Sequence, residues 1–112
     1  MAGEFRLQKA LEQIVKGERT EIFPAIGIYQ KKPEQAIKEA LEKLGYKHKV
    51  YKKNTELDFP DIMAWIEAEN KEVCVDIFYE KIGLSYYIVG VLERDCETVK
   101  TIAERTTWYK QV

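Results

Sequence analysis

Seven consecutive residues, Lys47-His48-Lys49-Val50-Tyr51-Lys52-Lys53, gather five cationic or potentially cationic side chains around one tyrosine. Lys47, Lys49, Lys52 and Lys53 suit phosphate oxygens, and Tyr51 offers a ring on which a base can stack, so the run is a candidate nucleic-acid-binding strand. The competing account is a solvated strand whose lysines discourage edge-to-edge pairing, because alternation sends these charges to two faces. Other chemistry is scarce. His48 is the only histidine, which rules out a Ser-His-Asp, Cys-His or two-histidine metal site within one chain. Cys74 and Cys96 form no CxxC and are read as reduced. The six glycines are dispersed and make no phosphate-cradling loop. No catalytic residue is assigned, and the chain reads more readily as a binding protein than as an enzyme.

Two short acidic segments stand apart: Phe59-Pro60-Asp61-Ile62, and Val75-Asp76-Ile77 on the following strand. Over roughly residues 33–81 they resemble part of the PD-(D/E)xK nuclease family, especially its small Holliday-junction resolvases. That resemblance implies a helix bearing an acid, here Glu39 or Glu42, before two hairpin strands that carry metal-binding carboxylates. Asp61 would be the first ligand and Asp76 the second, holding Mg²⁺ or Mn²⁺ to polarise a phosphate and activate water. Phe78 stands where the family has its lysine; Lys81 is the nearest later one. An active or degenerate nuclease is therefore one alternative function, and a cofactor is expected only under it. The plainer account makes Asp61 a turn carboxylate and places Asp76 on a solvent-facing strand position.

Aromatic residues are in excess. Alternation groups Met63 with Trp65 on one sheet face, and Tyr87 with Val89 and Val91 on one face. Together with Trp108, these are more than one small core normally hides. Met63, Trp65, Tyr87 and Trp108 are accordingly the expected interaction residues. They point to a small non-catalytic interaction module that self-associates, as a homodimer, or binds another protein.

The elements that position these residues follow from periodicity. Leu7, Leu11, Ile14 and Val15 predict a helix over 5–16 stopped by Gly17. Residues 21–29, with Ile22, Phe23, Ile26 and Ile28, read as an edge strand interrupted by Pro24. Pro33 to Leu44 is the clearest helix, with Ala36, Ile37, Ala40, Leu41 and Leu44 in one stripe and Gly45-Tyr46 as a Schellman ending. Strands follow at Tyr46–Lys53, Ile62–Ile66, Val73–Tyr79 and Tyr86–Leu92. Asn54 to Asp58 is a polar break, and turns are expected at Asn70-Lys71 and Gly83. Asp95 caps a last helix with Val99, Ile102, Ala103 and Thr106 inside, which Trp108 and Tyr109 end. The expected fold is α+β in the order α-β-α-β-β-β-β-α: a mostly antiparallel four- to five-stranded sheet flanked by three helices, in one domain spanning 1–112.

Bulk composition agrees with a soluble protein. Hydrophobic residues make up 46 % and charged residues 33 % of the chain. The net charge of −1 offers no global pull on nucleic acid or anionic membrane. No apolar run nears the roughly 20 residues that span a bilayer, and residues 1–6 lack signal-peptide order, so a cytoplasmic location is expected. Lys supplies 14 of 18 basic residues and Glu 15 of 19 acidic ones, a balance typical of hyperthermophiles.

Overall fold

The computed structural model describes residues 2–24, 27–54 and 60–112. Ile26, residues 55–58 of the polar break and Phe59 of the acidic segment fall outside them. The chain runs α1 (Ala2–Val15), β1 (Glu21–Ile22), β2 (Gly27–Tyr29), α2 (Pro33–Leu44), β3 (Lys47–Lys53), β4 (Asp61–Ala68), β5 (Lys71–Ile82), β6 (Ser85–Arg94), α3 (Cys96–Arg105) and β7 (Tyr109–Gln111). Among the described residues the sheet is antiparallel throughout, in the order β1-β6-β5-β4-β3-β7, with β2 also on β6. The expected α+β architecture with three helices is what forms. No described helix is long and apolar enough to cross a membrane.

Local chemistry explains the helix boundaries. Pro33 opens α2 at a position whose N–H would have no helical partner. Gly45 closes it at φ 75°, with Gly45 N–H donating to Glu42 and Tyr46 N–H to Leu41, the two bonds of a Schellman motif. Gly17, also at φ 75°, closes α1 in the same way, Glu18 N–H reaching the Gln13 carbonyl. At α3 the Asp95 carboxylate accepts from the Thr98 N–H at 3.0 Å.

The sheet differs from expectation in four places. The 21–29 segment forms two short strands on β6, since Pro24 has no N–H to donate and pairing stops at Ile22. The β4–β5 turn is Glu69-Asn70, both at positive φ, while Lys71 already pairs with Ala68. Two left-handed residues match the twist of a two-residue hairpin, which sets the turn one position earlier. On β6 the register against β5 jumps: Phe78 faces Gly90 and Tyr79 faces Ile88, so Val89 is an extra, unpaired residue. This bulge turns Val91 and Ile88 inward while leaving Tyr87 on the other face, and it breaks the expected Tyr87–Val89–Val91 alignment. Finally, Trp108 and Tyr109 do not extend the last helix. α3 ends at Arg105, where the Thr106 hydroxyl donates to the Ile102 carbonyl, and Tyr109 enters β7 beside Lys53.

The two sheet faces are covered unequally. Leu7, Leu11 and Ile14 of α1 and Ile37 and Leu41 of α2 pack on Ile62, Ile66, Val75, Ile77, Ile88 and Val91, all buried, which makes the main core. On the other face α3 brings Val99 onto Met63, Trp65 and Cys74, a cluster of four buried residues. A helix of ten residues is about 15 Å long and spans part of that face only.

Candidate functional site: a buried carboxylate pair and an uncovered half-sheet

The register that puts Met63 opposite Asp76 sets Asp61 and Asp76 diagonally on the α3 face of β4 and β5. Both are buried, 5 % and 3 % exposed, so Asp76 is not the solvent-facing residue that alternation alone suggests. The Tyr109 hydroxyl lies 2.8 and 2.7 Å from the two Asp61 oxygens and donates to that carboxylate, with Lys53 Nζ 3.8 Å away. Arg94 Nη1 donates to Asp76 Oδ2 at 2.9 Å. Asp76 Oδ1 is buried without a hydrogen-bond partner. Burial first, then the neighbouring Asp61 carboxyl, pushes the Asp76 carboxyl up to about 8 against the opposing pull of Arg94. Asp76 therefore holds its proton at neutral pH, and that proton meets the need of the orphaned oxygen. Burial and Asp61 likewise raise the Tyr109 hydroxyl.

Sequence reading thus selected two carboxylates that do meet, and missed the groups that hold them. Arg94 and Tyr109 could have been found only through register: Arg94 lies two places beyond Leu92, which faces Asp76, and β7 is three residues with no strand pattern of their own. The Mg²⁺ or Mn²⁺ set that the nuclease alternative implies does not fit these residues. A hydroxyl and two cations already engage the carboxylate oxygens, and Glu39 and Glu42 lie on α2, across the sheet from the pair. Among the described residues no three acidic, histidine or cysteine side chains form a metal-holding group.

The basic strand is equally committed. β3 is not an open edge along its length, because β7 pairs with Tyr51, Lys52 and Lys53. Lys49 Nζ lies 5.6 Å from the Trp65 ring centroid, Lys52 pairs with Glu34 of α2 at 2.8 Å, and Lys53 reaches Asp61. Lys47 is exposed, and half-buried His48 donates from Nδ1 to the Tyr46 carbonyl at 2.9 Å in the matching tautomer. Lys52→Met is expected to lower unfolding free energy by about 1–2 kcal/mol, since it strands a largely buried Glu34 carboxylate. Urea denaturation measures this; a loss under about 0.5 kcal/mol would mean that water screens the pair after all.

The aromatic candidates separate cleanly. Met63 and Trp65 are 1 % and 9 % exposed beneath α3, so they are core rather than contact residues. Alternation does put them on one face, but the helix that covers them comes from about 30 residues downstream. Trp108 is 63 % exposed, and Tyr87 is half-buried beside the exposed Ile28, to which it is paired. Beyond the reach of α3, the same face opens into a cleft of about 570 Å³ walled by Phe23, Phe78, Val89, Leu92 and Pro60, with Glu21 and Glu80 also lining it. Phe23 folds back over the sheet and stacks on Phe78, ring centroids 6.3 Å apart. Gly90 makes room for it: a Cβ there would sit 2.0 Å from the Phe23 ring. Sequence periodicity could not reveal this cleft, which depends on the bulge at Val89 and the path of Phe23.

No family model, curated protein or solved structure matches this chain.

Proposed function

We propose that the protein is a non-catalytic interaction module that self-associates through the half of the sheet that α3 leaves uncovered. The observation that carries this reading is the apolar surface there: the Phe23–Phe78 cleft continues along the sheet to Tyr87 and Ile28, which is 64 % exposed. A concave apolar surface bordered by aromatics is what a protein contact buries. Two further facts support it. The buried carboxylates are already engaged by Tyr109, Lys53 and Arg94, and Lys49, Lys52 and Lys53 of the basic strand each have a partner inside the chain. A cytoplasmic setting accords with the free thiols of Cys74 and Cys96, and the Lys/Glu-rich surface accords with a thermophilic source.

Sedimentation velocity over about 1–200 µM tests the proposal, on the expectation of concentration-dependent association in a range spanning typical weak interfaces. Ile28→Lys, at an exposed position that leaves the core intact, is expected to weaken association at least about tenfold by burying a charge. A wild-type chain that stays monomeric throughout would overturn the reading.

A further inference from the structure

The uncovered cleft has an acidic lining and the opposite edge of the sheet has a basic, aromatic one. Glu21 and Glu80 line the cleft, both exposed, and among the described residues neither has an ion pair. Among the described residues no lysine or arginine lines it. At the other edge Trp108 projects with 63 % of its surface exposed, held by its backbone, whose carbonyl accepts from Asn54 N–H at 2.8 Å. Arg105 and Lys110 flank it in the chain, exposed and likewise without an ion pair among the described residues.

β7, which follows Trp108, and β6, which lines the cleft, are four strand positions apart, about 19 Å at ~4.8 Å per strand. We infer that Trp108 of one copy seats in the Phe23–Phe78 cleft of a second copy, with Arg105 and Lys110 facing Glu21 and Glu80. This rests on the self-association proposed above and assigns its geometry. An aromatic anchor in an apolar pocket, ringed by opposite charges, is the arrangement that concentrates binding energy at a few residues. The cleft, at about 570 Å³, is within the ~300–1,000 Å³ that accepts a group larger than an indole.

Three variants test it by sedimentation velocity, each first checked for a native circular-dichroism spectrum. Trp108→Ala is expected to weaken self-association by roughly 30-fold, the loss of a hot-spot tryptophan. The double substitution Glu21→Lys with Glu80→Lys, and separately Arg105→Glu with Lys110→Glu, should each abolish association over the same concentrations. Mixing those two reversed-charge proteins should restore it, because one copy then supplies a basic cleft and the other an acidic anchor. If the wild type associates but Trp108→Ala associates equally well, this geometry is wrong while the self-association stands. If the mixture fails to associate, the charge pairing is wrong and the inference falls with it. A monomeric wild type removes both.

Discussion

Arg94→Met is expected to lower unfolding free energy by about 2–3 kcal/mol at pH 10 and by less than about 1 kcal/mol at pH 5. The reason is the state of Asp76. Its carboxyl is almost fully buried, and its pKa lies well above the ordinary carboxylate value because burial and Asp61 both disfavour a second negative charge. The folded protein therefore holds a proton at pH values where the unfolded chain has released it. Folding takes up that proton, so the contribution of Asp76 to stability is full below about pH 4 and is lost as pH rises towards 8. The limiting slope is about 1.4 kcal/mol per pH unit. Arg94 is what limits the damage once the proton leaves, being the cation that faces the charged form at 2.9 Å. Without it, the Asp76 pKa climbs further and the fall continues to higher pH, so the deficit of the variant widens above about pH 8, where the wild-type curve levels off. Urea titrations at several pH values measure this directly. Asp76→Asn provides the complementary result: an amide donates to Asp61 and accepts from Arg94 without a proton to lose, so the slope should flatten. A deficit in Arg94→Met that is the same at pH 5 and pH 9 would show that Asp76 is charged throughout.

Met63→Ala should cost about 3 kcal/mol of folding stability, in the range for a fully buried methionine, and should leave the association constant of the folded protein unchanged. Met63 is 1 % exposed and belongs to a cluster of only four buried residues, so there is little neighbouring apolar mass to close over the void. The expected signature is a lower urea midpoint together with wild-type sedimentation behaviour under native conditions. If the substitution instead abolished association while leaving stability within about 0.5 kcal/mol, Met63 would be a contact residue and α3 would not cover it as described.

What was legible in the sequence was local or periodic. Pro33, Gly45 and the Ala36–Leu44 stripe define α2 because a helix end is decided by a few adjacent residues. Asp95 and Thr98 fix the start of α3 for the same reason. Alternation correctly placed Ile62, Ala64 and Ile66 on one face and Met63 and Trp65 on the other. It failed wherever the outcome depended on a partner distant in sequence. Tyr87, Val89 and Val91 alternate perfectly, yet one unpaired residue at Val89 separates them, and nothing in the composition of β6 announces it. Trp108 and Tyr109 carry β-forming side chains, but three residues make a strand only when β3 is there to receive them. For the carboxylates, the sequence offered Asp61 and Asp76, while their burial and the raised carboxyl of Asp76 depend on which strands lie beside them.

The unequal depth of the two layers implies unequal lifetimes. The α1–α2 layer closes over a large contiguous core, whereas α3 is held by Val99, by its contacts with Met63, Trp65 and Cys74, and by an exposed Lys100–Glu72 pair at 3.2 Å. Opening energies follow the apolar surface an element must release, so α3 is the element that lifts first while the sheet and the other two helices stay closed. Its C-terminal end leads directly into Trp108 and β7, and Tyr109 there supplies the hydroxyl bound to Asp61. While β7 stays paired with β3, such an excursion leaves the tyrosine on Asp61 and instead bares Met63, Trp65 and Cys74, so the buried thiol meets solvent at the tempo of a moving helix and not of diffusion.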